Sequence, residues 1–154
     1  MFRALSLLLL STALFAGVYD PKASAKNDIQ NAVEKAKLEG KHVLLQVGGN
    51  WCPWCLKLEG VFSKNKEINQ ILTDHYVYVL VNTSKENKNN DVLASLDYPQ
   101  RFGFPVLVIL DAAGKRIHTQ NTVYLEEGKG YNIKRVADFL KAWSPAALDP
   151  EKYK

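Results

Sequence analysis

The chain is short of the residues that build metal centres and disulfide frameworks: 154 residues contain two cysteines, three histidines and one methionine. Two cysteines cannot make the set of bridges that stabilises small disulfide-rich domains. A structural zinc ion needs four ligands and a catalytic one three, yet His42, His75 and His118 show no paired spacing. No bound metal or cofactor is expected. Charge of a single sign is scarce as well, with 20 Lys and Arg against 16 Asp and Glu. The basic residues sit beside acids, as in Lys85-Glu86 and Glu126-Glu127-Gly128-Lys129, so a nucleic-acid stripe is excluded and no nucleic-acid partner is expected. No internal repeat and no dimerisation segment is visible, so a monomer is expected.

One apolar, charge-free stretch does stand out, Ala4 to Val18, preceded by Arg3 and followed by Ala23-Ser24-Ala25. It is short for a bilayer span, and with the A-x-A site it predicts a secretory signal peptide over residues 1–25. Cleavage nearer Ala16 or Gly17 is a second possibility, and an uncleaved anchor a third. No cysteine stands directly after the apolar region to accept a lipid. Residues 26–154 then form one domain with one core, exported to an oxidising compartment where cysteines become disulfides.

Periodicity predicts an α/β order. Ile29, Ala32, Val33, Ala36 and Leu38 mark a helix over 28–38, stopped by Gly40. Val43 to Val47 suits a central strand. A helix follows from Pro53, continuing or restarting at Ile68 after Lys64-Asn65-Lys66. Tyr76 to Val81 is a second strand. Thr83 to Asn90 has no periodic apolar signal and reads as a surface loop, followed by a short helix over Val92 to Leu96. Val106 to Leu110 and Lys115 to Thr119 form a hairpin around Asp111-Ala112-Ala113-Gly114, and Ile133, Val136, Ala137 and Leu140 mark a last helix. Phe62, Tyr76, Tyr78, Phe139 and Trp143 read as packing residues.

The two cysteines are concentrated in Trp51-Cys52-Pro53-Trp54-Cys55, between the first strand and the second helix. A cysteine at a helix start lies beside unpaired N–H groups and the positive end of the helix dipole, which favour thiolate over thiol. Cys52 is therefore the expected nucleophile. Cys55, one turn on, is the shielded thiol that resolves a mixed disulfide. A purely structural bridge across three residues closes too short a loop to stabilise much.

The element order, Trp-Cys-x-x-Cys after the first central strand, and Phe104-Pro105 before the hairpin resemble the thioredoxin superfamily over most of residues 28–143. The run Trp51 to Glu59 is similar to exported thioredoxin-like proteins whose helix reads Trp-Cys-x-Trp-Cys followed by Lys-Leu-Glu. The resemblance implies a thioredoxin-like fold: a central mixed four-stranded sheet with helices on both faces. It also implies that Pro105 is cis, beside the cysteine pair, where the Phe104 backbone offers a short edge to an extended substrate segment. Catalytic Cys52 and Cys55, with Trp51, Pro53, Trp54, Phe104 and Pro105 contacting substrate, follow from it. Trp51 is expected to pack partly on the domain, and Trp54 to face solvent or substrate.

Three departures qualify the transfer. Gln46 stands where thioredoxins carry a buried acid, and Gln takes no proton, so water or Glu59 is left to receive the Cys55 proton. The dipeptide Pro53-Trp54 supplies no imidazolium to stabilise the Cys52 thiolate, which points away from the most oxidising relatives. Thr83 to Asn90 reads as an insertion. The expectation is a periplasmic thiol–disulfide oxidoreductase, reducing or isomerising exported cysteine-containing proteins and recharged by a membrane-embedded redox partner. The alternatives are a non-catalytic binding module of the same fold and a copper-handling protein, since thiolates are soft ligands.

Overall fold

A computed structural model describes residues 17–154, so residues 1–16 of the leader expected over residues 1–25 lie outside the described residues. The chain runs α1 (Ala25–Glu39), β1 (His42–Gly48), α2 (Pro53–Lys64), α3 (Lys66–His75), β2 (Tyr76–Asn82), α4 (Asn90–Ser95), β3 (Val106–Leu110), β4 (Arg116–Asn121), a two-residue pair β5 (Glu126–Glu127) and β6 (Gly130–Tyr131), and α5 (Ile133–Ala142). The main sheet has the order β2-β1-β3-β4. β1 pairs parallel with β2 and antiparallel with β3, and β4 is antiparallel to β3. The parallel pair needs a crossover, which α2 and α3 supply. The antiparallel pair needs only a tight turn, and Asp111 builds it by accepting from the N–H groups of Ala113 and Lys115, both at 2.9 Å. This is the mixed four-stranded sheet with helices on both faces that the resemblance implies.

Alternation along the strands divides the core. Leu44, Leu107 and Ile109 face α2, α3 and α5, meeting Phe62, Leu72 and Leu140. Val43, Leu45, Val47, Val106 and Val108 face α1 and α4, meeting Ala32, Ala36 and Leu93. With both faces covered, β1 is buried at every position, which is why its sequence is a nearly continuous apolar run. That run is interrupted by one polar side chain, Gln46, itself fully buried.

The first helix begins three residues before Asp28, because Ser24 caps it by accepting from the Asn27 N–H. It ends at Gly40 in the left-handed region, φ 67°, as its glycine suggests. Leu38 does not join its buried face; it is 88% exposed, since two residues beyond Ala36 is more than half a turn around the helix. Asn65 both ends α2 and caps α3, accepting from the Ile68 N–H at 3.1 Å, so the second and third helices are distinct. Asn65→Ala is expected to cost about 1 kcal/mol, the usual value of such a cap, read as a lowered urea midpoint. No shift in midpoint would mean that solvent satisfies the end of α3 equally well.

Residues ahead of the boundary expected after residue 25 pack on the domain. Ala25 opens α1 and is buried, Ser24 caps it, and Tyr19 is fully buried against the cysteine pair. A segment this short carries no periodicity, and its contacts are made with β1 and the loop after it, so nothing local announces its burial.

Candidate active site

β1 delivers the chain through Gly49, Asn50 and Trp51 to Cys52, the cap of α2, in extended backbone conformation (φ −105°, ψ 103°). Its carbonyl accepts from the N–H groups of Cys55 at 3.1 Å and Leu56 at 3.2 Å, and its sulfur lies 3.2 Å from the Cys55 nitrogen. A charge developing on the Cys52 sulfur thus meets an N–H at the helix start, the placement its sequence position suggests. Pro53 takes the first helical position, exposed, where its missing N–H leaves no bond unmade. Cys52 and Cys55 are joined as a disulfide, with Cα atoms 5.2 Å apart. Cys52 retains 5% exposure and Cys55 none, so the resolving position is the deeper one.

The Phe104–Pro105 peptide is cis, and Phe104 packs on the cysteine pair. Pro105 is buried, its carbonyl accepting from the Thr122 hydroxyl at 2.6 Å. Trp51 packs partly on the domain, whereas Trp54 is more covered than its position between the cysteines suggests. Trp51 is 55% exposed; its indole N–H donates to the Thr83 carbonyl at 2.7 Å and its ring meets Phe104 edge-on at 5.3 Å. Trp54 is half-buried, because Tyr131 of β6 packs edge-on at 5.4 Å and the Lys57 ammonium lies 4.5 Å above its ring. Lys57, read from sequence as a solvated helix residue, also donates to the Lys129 carbonyl at 2.8 Å, tying α2 to the β5–β6 turn.

Beneath the pair lies a buried polar chain. The Tyr78 hydroxyl donates to Gln46 Oε1 at 2.8 Å, and Gln46 Nε2 donates to the Tyr19 hydroxyl at 2.6 Å and to the Cys55 carbonyl at 2.9 Å. Burial pushes the phenols of Tyr19 and Tyr78 well above the usual tyrosine range, and the Glu59 carboxylate adds to both by charge. Both remain neutral hydroxyls at any working pH.

Asn50 clasps the segment that carries Tyr19, accepting from the Tyr19 N–H at 2.9 Å and donating to its carbonyl at 2.7 Å. Asn87, in the Thr83–Asn90 loop, donates to the carbonyls of Pro21 at 3.1 Å and Ala23 at 3.3 Å. This loop also walls a groove of about 590 Å³ running from Trp51 past Lys85 and Lys88 to Leu93 and Gln100. Among the described residues no group of three His, Cys, Asp or Glu side chains is placed to hold a metal ion.

The structure brings together Trp51, Cys52, Cys55 and Phe104, with Pro53, Trp54 and Pro105 as their immediate sequence neighbours. Sequence reasoning missed Tyr19, assigned to the leader, and Tyr78, assigned to packing. The available signal was Gln46: a glutamine inside a fully buried strand must find partners for its amide, and those partners had to come from elsewhere in the chain.

A family model described as thioredoxin-like matches residues 24–112. Disulfide bond reductase DsbH of Chlamydia pneumoniae is 30% identical over 95 residues, 56% of this chain and 55% of that protein. Spermatogenesis-associated protein 20 of Rattus norvegicus is 40% identical over 52 residues, 34% of this chain but 7% of that protein. The chain thus spans about half, or far less, of the curated relatives it matches. Among solved structures, a disulphide isomerase from Xylella fastidiosa superposes with a TM-score of 0.74 at 23% identity, covering 83% of this chain and 97% of that one.

Proposed function

Since this chain belongs to the thioredoxin-like family, we propose that it is a periplasmic thiol–disulfide oxidoreductase that reduces disulfides of exported proteins. The observation that carries the reading is the Cys52–Cys55 bridge at the start of α2, with Cys52 outermost and Phe104 packed on it. In the dithiol form, the Cys52 thiolate attacks one sulfur of a substrate disulfide, and the other substrate sulfur leaves as a thiolate that takes a proton from water. The Cys55 thiolate then attacks the Cys52 sulfur of the mixed disulfide and expels the second substrate sulfur. Two electrons pass to the substrate, and the protein is left with its own bridge.

The cycle requires recharging by a dithiol donor, which in an oxidising compartment means a membrane-embedded redox partner. Trp51, Trp54 and the Phe104–Pro105 edge are the surfaces offered to a substrate chain. The direction rests on the Pro53-Trp54 dipeptide, which places no imidazole beside the Cys52 sulfur. Equilibration against a glutathione series, followed by tryptophan fluorescence, tests it. A reductase is expected near the thioredoxin value of about −270 mV. A value near about −120 mV, that of the strongest exported oxidant, would reverse the direction.

A further inference from the structure

We propose that Tyr19 is the hydrogen-bond donor that stabilises the Cys55 thiolate during resolution, taking part of the place left by the buried acid that Gln46 replaces. The inference rests on the dithiol cycle described above.

The direction of the buried hydrogen bonds carries the argument. Tyr78 spends its hydroxyl proton on Gln46 Oε1, which orients the amide so that Nε2 faces Tyr19. Tyr19 accepts that N–H with its oxygen, so its own O–H proton is still to be donated. That hydroxyl lies over Gly48 together with the Cys55 sulfur: a Cβ placed on Gly48 would fall 2.9 Å from the Tyr19 hydroxyl, 3.1 Å from Cys55 Cβ and inside contact with Cys55 Sγ. A side chain at Gly48 would collide with both groups. In the bridge, Cys55 carries no charge and is a poor acceptor. When the pair is reduced and Cys55 ionises, a thiolate buried beside a free hydroxyl proton receives a charge-assisted bond.

Tyr19 acts as a donor and never as the base. Burial keeps its phenol neutral against the opposing pull of the Gln46 hydrogen bond, the charge of Glu59 on α2 acts in the same sense as burial, and the facing phenols of Tyr131 on β6 and Tyr78 on β2 are likewise held neutral by burial. The proton that Cys55 gives up passes to solvent. The clasp by Asn50 and the two bonds from Asn87 hold the Tyr19 segment in place, which assigns a structural role to the inserted loop. It follows that processing must leave Tyr19 in the mature chain, whereas cleavage after Ala25 would discard it.

The test uses Cys52→Ser, in which Cys55 is the sole thiol, with its titration followed by the ¹³Cβ shift of labelled cysteine. Adding Tyr19→Phe is expected to raise the Cys55 midpoint by about one pH unit, a tenfold loss of thiolate below it, as for a charged hydrogen bond at the lower end of its range. Tyr78→Phe, which frees the Gln46 amide to turn, is expected to shift it in the same direction by less. A merely structural tyrosine would lower the unfolding midpoint and leave the titration in place, and an unchanged titration in Tyr19→Phe overturns the assignment. Should that variant not fold, Tyr78→Phe decides on the same criterion. The mass of the exported protein must correspond to a chain that retains Tyr19; a start after Ala25 overturns the proposal for the mature protein. If the wild type shows no disulfide turnover, the proposed function fails, while the Cys55 titration still answers the question put to Tyr19.

Discussion

Cys52→Ser is expected to lower disulfide exchange on the order of 10³-fold or more, the scale on which loss of an enzyme's nucleophile acts. The nucleophile in this chemistry is a thiolate, and a serine hydroxyl at the same helix cap does not ionise at working pH. Cys55→Ser should behave differently. The first attack proceeds, the mixed disulfide forms, and no second thiol is present to release it, so the protein accumulates as an adduct with its substrate. The two variants thus separate the roles that the 5% exposure of Cys52 and the full burial of Cys55 suggest. Reduction of a peptide disulfide with dithiothreitol as donor reads turnover, and intact mass analysis of each pre-reduced variant, freed of dithiothreitol before the peptide disulfide is added, reads the trapped adduct. If Cys52→Ser traps the adduct and Cys55→Ser does not, the order of attack is the reverse. If both variants retain turnover, the cycle is wrong and a non-catalytic module gains support.

The largest loss of stability outside the pair is expected at Phe62. Its ring is 1% exposed, packed under α2 in the core of the α3–α5 face, and meets Tyr78 edge-on at 5.3 Å. Phe62→Ala removes that contact and leaves a cavity that close-packed neighbours fill only in part, a cost of about 3–5 kcal/mol. Domains of this size are stable by about 5–15 kcal/mol in total, so about a fifth of the margin or more would go. Urea unfolding should show a lower midpoint with an unchanged slope. A cost below about 1 kcal/mol would mean that the site collapses around the smaller side chain. Since Phe62 also braces the ring whose hydroxyl orients Gln46, the loss should not add simply with that of Tyr78→Phe, and a double-mutant cycle measures the coupling.

The places where sequence reasoning stopped share a cause. Trp54 occupies the expected helical position, yet its exposure is set by Tyr131, 77 residues further on. Tyr78 has the alternation of a packed strand residue, and its hydroxyl partner lies on the neighbouring strand. The break between α2 and α3 was visible as an ambiguity and was resolved by one side chain, the Asn65 cap. The two-residue pair β5–β6 is too short to register as a pattern against the surrounding loop.

By itself the sequence determined the order of helices and strands, the two faces of the core and the position of the cysteine pair at a helix start, because each depends on spacing within a few residues: a period of two or 3.6, a cap, a turn. The tertiary structure alone decided what surrounds the pair. Tyr19, Gln46, Tyr78 and Asn87 are held together by hydrogen bonds between segments far apart in the chain. A buried amide requires partners, but which residues supply them depends on how the folded segments meet, and that information is not local.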